Sequence, residues 1–176
     1  INRLTTRAPR LIPAAAKISA RALSARGYVD RSYKVFASPR RVVFREMEYA
    51  LQRAAVPSML AEIERYLAHS GELIGFPVEV RFGAADDIWL STSSGRDTGY
   101  VAVHQYWRRD YEPYFRAVEQ IAIAHDGRPH WGKLHFRDAD SLRTVYPHFD
   151  DFLAIRDRLD PAGMFTNDYL RRVLGR

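Results

Sequence analysis

No cysteine occurs among the 176 residues, which excludes disulfides, thiolate metal sites, a cysteine nucleophile and a cysteinyl-linked cofactor within this sequence. Lysine is nearly as scarce, present only at positions 17, 34 and 133, so arginine carries almost all of the positive charge and Lys133 stands out. Long apolar runs are missing too. The stretch from Leu11 to Leu23 is broken by Pro13, Lys17 and Arg21; it falls short of the ~20 apolar residues that span a bilayer, and a signal-peptide core would lack such interruptions. There is no glycine-rich phosphate loop and no spacing that argues for a Ser-His-Asp set. His125, His130 and His135 are five apart, which suits neither one helical face nor one strand face, so no metal site is expected.

What the sequence does have is apolar substance. With 47% hydrophobic and 12% aromatic residues, it can fill the core of one domain of ordinary size. The formal net charge of +6 raises a nucleic-acid partner or an anionic membrane surface. Its arginine pairs, Arg40-Arg41, Arg108-Arg109 and Arg171-Arg172, are isolated and interrupted by acids such as Asp138, Asp140, Asp150 and Asp151. No nucleic-acid partner is therefore expected. Peripheral membrane association stays open, and the expected location is cytoplasmic, free or membrane-associated. The first residues, Ile1 to Arg7, read like the middle of a chain, so a longer polypeptide is expected.

Residues 1–40, rich in Arg, Ala and Ser, read as a connecting arm with one helix over Ala14 to Ser24; from residue 41 the pattern becomes that of a folded domain running to residue 176. Val42, Val43, Phe44, Met47 and Tyr49 suit a strand ending near Ala50. Met59, Leu60, Ile63, Tyr66 and Leu67 recur with helical spacing up to Gly71. Residues 78–82 alternate as a strand, 87–91 form a second short extended piece, and Tyr100 to Trp107 a further strand. Tyr111 to His125 is helical, a strand carrying His130 closes the set, and Asn167 caps a last helix. Strand, helix, strand, strand, helix, strand is the split βαβ order. The expected fold class is α+β, an antiparallel sheet with helices on one face in a ferredoxin-like arrangement, the other face left free.

Side chains two apart on a strand share a face at a separation of about 6.5 Å. Glu79 and Arg81 therefore share one face, with Val78, Val80 and Phe82 on the helix side. Val101, Val103 and Gln105 likewise mark the helix side of the next strand, which sends His104 and Tyr106 to the face of Glu79 and Arg81. Lys133 joins that face from the closing strand, and Gly132 before it lets a planar ligand or a second backbone come near. Each residue also has a plainer reading: a solvated ion pair for Glu79 and Arg81, a structural histidine at 104, a core Trp131 and a Lys133 snorkelling to water.

Arg128-Pro129-His130-Trp131-Gly132-Lys133 resembles the C-terminal signature of the sugar-1,4-lactone oxidases and dehydrogenases, which act on gulono-, galactono- and arabinonolactone and belong to the vanillyl-alcohol-oxidase-type flavoproteins. Glu46-Met47-Glu48-Tyr49-Ala50, Glu79-Val80-Arg81, the strand with His104, and Leu159-Asp160-Pro161 through Phe165-Thr166-Asn167 resemble that family in the same order. The resemblance implies FAD held by an N-terminal domain absent from this chain, with this part as the cap over the flavin. It implies a sugar lactone, D-arabinono- or L-gulono-1,4-lactone, oxidised at the hydroxyl carbon beside the carbonyl. Glu79, Arg81 and Lys133 would be catalytic, His104 and Tyr106 would bind substrate, and His130, Trp131 and Lys133 would lie against the cofactor. Two cations and one carboxylate on a water-excluded face suit a reaction that develops an anion. Alditol oxidases are similar in Glu-x-Arg and His-Trp-Gly-Lys, so an open-chain polyol is an alternative substrate. From another class, a basic ferredoxin-like module for RNA or protein would show aromatic stacking residues where this face carries Glu79, Arg81 and His104.

Overall fold

In the computed structural model, which describes residues 2–22, 27–37 and 42–175, alternation along one strand separates a core from a polar face. Strand β1 (Phe44–Gln52) sends Met47, Tyr49 and Leu51 into the core, while Glu46 and Glu48 take the opposite side. Strands β2 (Glu79–Gly83), β3 (Thr98–Tyr106) and β4 (Arg128–Pro129) complete a four-stranded antiparallel sheet in the order β2-β3-β1-β4. This is the ferredoxin-like order expected from the succession of elements, and the fold is α+β.

The first forty residues hold more helix than their sequence suggests: α1 (Asn2–Arg7), α2 (Ile12–Ala22) and α3 (Ser32–Phe36). Residues 23 and 24 of the expected arm helix lie outside the described residues, as does the expected boundary at residues 40 and 41. The sheet is backed by α4 (Val56–Ser70) and α5 (Glu112–Ala124). Each has a proline in its first turn, where the missing N–H costs no helical hydrogen bond. Val56, Met59 and Ile63 of α4 and Tyr114, Phe115, Val118 and Ala122 of α5 pack on Met47, Tyr49, Leu51, Val101 and Val103. The Tyr49 hydroxyl donates to Glu119 Oε2 at 2.5 Å inside this core, and the same oxygen accepts from the Phe136 amide at 2.9 Å. Burial first, and then the Glu119 charge, push the Tyr49 phenol far above its ordinary range.

Three expectations are corrected. Residues 87–91 do not form a strand: the backbone turns there, tied by a single bridge between Asp86 and Ser94, and Asp86 accepts from Ser91 Oγ and the Ile88 amide in place of a partner strand. The closing strand is only Arg128–Pro129, and the His130 motif lies beyond it in a turn. Phe82 sits at the sheet margin with 57% of its surface exposed, covered on one side by the Arg53 guanidinium 5.0 Å from its ring centroid.

Two close approaches fix the frame. A side chain at Gly99 on β3 would meet Val56 Cγ2 at 2.2 Å, so the start of α4 rests directly on the strand backbone. At Gly127, where α5 gives way to β4, a Cβ would meet the Ala122 carbonyl oxygen at 2.6 Å and the Tyr49 ring at 2.9 Å. Backbone cannot yield there as a flexible side chain can. Gly127→Ala should therefore destabilise the protein by roughly 2 kcal/mol, seen as a lowered thermal unfolding temperature; an unchanged one would contradict this packing.

After β4, helices α6 (Ala139–Arg143), α7 (Phe149–Leu159) and α8 (Asp168–Leu174) build a second core from Leu142, Tyr146, Phe149, Val173 and Leu174, which takes in Leu90 and Trp131. Asn167 caps α8 as expected, its side chain accepting from the Leu170 amide at 2.9 Å. The sheet thus has a helix-covered face and a polar one flanked by this second core.

Candidate functional site

Register puts the polar groups in rows. Glu46 pairs with His104 and Glu48 with Ala102, which pairs on its other side with Glu79; Arg81 pairs with Tyr100. The row through Glu48 crosses β3 at Ala102, whose small side chain leaves room for the Arg81 guanidinium to pass diagonally over β3 and donate to Glu48 Oε2. Arg81 Nε also lies 3.4 Å from Glu79 Oε1.

Lys133 arrives from the other edge, by a route that the sequence does not suggest. The His130 amide donates to the Glu48 carbonyl at 2.9 Å and the Leu134 amide to the Glu46 carbonyl at 3.0 Å, so the ladder on β1 continues while Trp131, Gly132 and Lys133 loop out of it. The Lys133 amide donates to the His130 carbonyl at 3.1 Å, and the Gly132 amide to His130 Nδ1 at 3.0 Å, which tightens the turn. The lysine folds back over the sheet and donates to Glu46 Oε1 and Glu48 Oε2, both at 2.6 Å. A residue expected on a strand is thus placed by a bulge.

His104 is buried between Phe44 and Phe76, at centroid distances of 5.1 and 5.9 Å, with Nε2 3.2 Å from Glu46 Oε1. Burial alone would raise the Glu46 carboxyl, but the hydrogen bond and charge of Lys133, with His104 in support, outweigh it and hold that carboxyl below its ordinary value. For Arg81, partial burial opposes the charge, yet the Glu48 and Glu79 carboxylates win and raise its pKa.

The expected residues are not all together. Arg81, Lys133 and His104 share one polar face and meet through Glu46 and Glu48. Glu79 stands at the margin with half of its side chain exposed. Tyr106 is at the far end of β3, paired with Phe44 and set edge-on against Trp107. His130 and Trp131 hold the loop: the Trp131 indole N–H donates to the Leu90 carbonyl at 2.9 Å and its ring stacks on Tyr146. The expectation of two cations with one carboxylate is also corrected, because three carboxylates, Glu46, Glu48 and Glu79, face Arg81 and Lys133. Both cations are neutralised at rest. Glu46 and Glu48 escape a reading of isolated motifs, although the alternation Glu46-Met47-Glu48-Tyr49 would have put two carboxylates on the face opposite the core.

Two hollows flank the cluster. One of about 590 Å³ is lined by Phe44, Glu46, Trp131, Lys133 and Tyr169 among others, and one of about 320 Å³ by Glu48, Arg81, Thr92, Tyr100 and His130. Among the described residues no group of three His, Asp or Glu side chains could hold a metal ion, and no helix is long and apolar enough to cross a membrane.

A hydroxyl chain supports the Lys133 loop from below. The Tyr169 hydroxyl donates to the Trp131 carbonyl at 2.6 Å, so it accepts from His135 Nε2 at 3.0 Å, which fixes the proton on Nε2. Burial, then Arg172 and Arg137, depress the His135 pKa to about 4. The unfolded chain takes up this proton near pH 6.5 and the folded chain only near 4, so stability should fall as pH drops through that window. His135→Gln should flatten the pH dependence of the unfolding temperature there; an unaltered slope would show that His135 is not its source.

Known proteins are similar to this chain over most of its length. A family model described as D-arabinono-1,4-lactone oxidase matches residues 1–173. The L-gulono-1,4-lactone dehydrogenase of Mycobacterium tuberculosis is 49% identical over 169 residues, which cover 96% of this chain and 40% of that protein. An alditol oxidase of a Streptomyces species is 41% identical over 132 residues, 73% of this chain and 31% of its own length. The L-gulonolactone oxidase of Mus musculus is 37% identical over 147 residues, 81% of this chain and 33% of its own. The chain thus spans two fifths or less of the length of these relatives.

Proposed function

From the premise that this chain belongs to the D-arabinono-1,4-lactone oxidase family, matched over residues 1–173, we propose that it is the cap and C-terminal part of an FAD-dependent enzyme. That enzyme oxidises a sugar-1,4-lactone, D-arabinono- or L-gulono-1,4-lactone, at the hydroxyl carbon beside the carbonyl. Residues 1–40 form the connecting arm, residues 41–176 the cap and C-terminal domain, and the FAD-binding domain precedes them in the whole polypeptide. A cytoplasmic location, free or at a membrane surface, goes with this reading. The observation that carries it is the meeting of Arg81 and Lys133 on one oxygen of Glu48, on the polar face of the sheet.

The residues on that face fit one side of a flat redox ring. Gly132 offers no side chain, and a Cβ there would touch only the His130 ring, at 3.4 Å. Lys133 spends two of its N–H groups on Glu46 and Glu48, which leaves the third for an oxygen of ring or substrate. His130, Trp131 and Lys133 would hold the ring, while its phosphates would fall to the N-terminal domain, since this sequence carries no glycine-rich phosphate loop. FAD, when bound, supplies the hydride acceptor. Arg81 polarises the substrate hydroxyl, and Lys133 stabilises negative charge on its oxygen. Glu79, exposed at the margin, orients a substrate hydroxyl by accepting its proton in a hydrogen bond. His104, packed on Phe44, and Tyr106, paired with Phe44, would bound the substrate from β3 behind that residue of the larger hollow.

An alditol substrate is the second reading, favoured by the identity of 41% to the Streptomyces alditol oxidase. The full-length polypeptide should be yellow and should turn over L-gulono- or D-arabinono-1,4-lactone with oxygen or an artificial acceptor, whereas the 176-residue part alone should be colourless and inactive. Preference for xylitol would select the second reading; no turnover of either class would overturn both.

A further inference from the structure

Glu48 has a place that the proposed chemistry does not use. It lies on β1, a central strand of the sheet, and is 1% exposed. Arg81 reaches it from edge strand β2, and Lys133 from the loop beyond β4 at the opposite edge. Both donate to Oε2, whereas Oε1 is buried with no hydrogen-bond partner among the described residues. Each cation also lines a different hollow, Lys133 the larger and Arg81 the smaller, with Glu48 between them. A buried carboxylate is strongly destabilised without counter-charge; this one retains two cations from separate parts of the chain and holds them together.

We propose that Glu48 is a positioning residue: through a single buried oxygen it fixes the spacing and direction of Arg81 and Lys133, so that one can meet the substrate hydroxyl while the other meets the oxygen or ring beside it. This rests on the reading of Arg81 and Lys133 given above. Glu46 does a lesser version of the same task, since it holds Lys133 and His104 but is more exposed, at 19% of its side chain against 1% for Glu48. The unused Oε1 lets the carboxylate serve both cations from one side, with no competing donor to rotate it.

The test uses the full-length holoenzyme with Glu48→Gln, which keeps shape and removes charge. Displacing both cations should lower kcat by about 100-fold, with a smaller change in KM. The loss should be non-additive: in an Arg81→Ala or Lys133→Ala background, Glu48→Gln should cost only a few-fold, because there is less left to position. A merely structural role would give additive losses that follow the unfolding temperature. Should Glu48→Gln fail to fold, Glu48→Asp keeps the charge but withdraws it by one methylene, and kcat should still drop about tenfold. A readout independent of turnover is the Lys133 ammonium resonance of the ¹⁵N-labelled protein, assigned by its loss in Lys133→Arg. It should persist near neutral pH in the parent and vanish into solvent exchange in the Glu48 variant. Near-parental kcat for both Glu48 variants while Arg81→Ala and Lys133→Ala are impaired, or an ammonium signal that persists without the Glu48 charge, overturns the positioning role and leaves the function intact. Near-parental kcat for Arg81→Ala and Lys133→Ala as well overturns the assigned site itself.

Discussion

Lys133→Ala in the full-length enzyme is expected to lower sugar-lactone turnover by about 100-fold or more, and Arg81→Ala by a similar factor. The expected effect is electrostatic. Glu46, Glu48 and Glu79 neutralise both cations at rest, so neither adds a large field to the empty site. In the proposed reaction, negative charge developing on a substrate oxygen beside them would meet N–H groups already aimed and partly desolvated, with little reorganisation needed. Removing either cation takes away that group and also leaves Glu48 as a buried carboxylate with half of its counter-charge. Single-turnover flavin reduction would isolate the chemical step from product release. Near-normal reduction rates in both variants would refute these roles.

The second large effect concerns the loop that delivers Lys133. Arg128 is 6% exposed; its Nε donates to the Val145 carbonyl at 2.8 Å and its Nη1 to the Ser94 carbonyl at 2.7 Å, with its guanidinium 5.1 Å from the Tyr146 ring centroid. Burial holds its pKa below the ordinary arginine value, only partly offset by Tyr146 and Asp86. One side chain thus joins β4, the turn before β3 and the second core. Arg128→Leu would leave those carbonyls without their donor, at a cost of about 2–4 kcal/mol. Thermal unfolding should register this as a drop of many degrees, and turnover should fall even below the unfolding temperature, because Lys133 follows five residues later. A variant as stable as the parent would mean that water replaces the guanidinium at no cost.

The sheet order and the two backing helices were legible because their periodicities are strong. Val80, Val101 and Val103 mark the helix side, and Met59 and Ile63 with Tyr114, Phe115 and Val118 keep helical spacing. The polar face followed from the same alternation, which placed Arg81 and His104 correctly. Lys133 is different. Its position depends on a bulge in which Trp131, Gly132 and Lys133 leave the ladder while His130 and Leu134 keep hydrogen bonds to β1, and such a detour has no period to read. Glu79 looked central because it shares a motif with Arg81, but β2 is an edge strand and its outer carboxylate is half exposed. Glu48, on a central strand, takes the inner place. Phe82 was expected inside from parity alone; parity chooses a face, whereas burial also depends on how far along the strand the helices extend. Residues 87–91 have the composition of a strand, yet their backbone partners are supplied within a local turn around Asp86.

In the proposed enzyme Arg81 and Lys133, joined at Glu48, confront the reacting oxygen. A crystal structure of the full-length holoenzyme with a bound lactone analogue measures this directly. The Arg81 guanidinium and Lys133 Nζ should both lie within hydrogen-bond distance of ligand oxygens, with Glu48 still between them. A lactone bound away from this face, or one that touches neither cation, would contradict it.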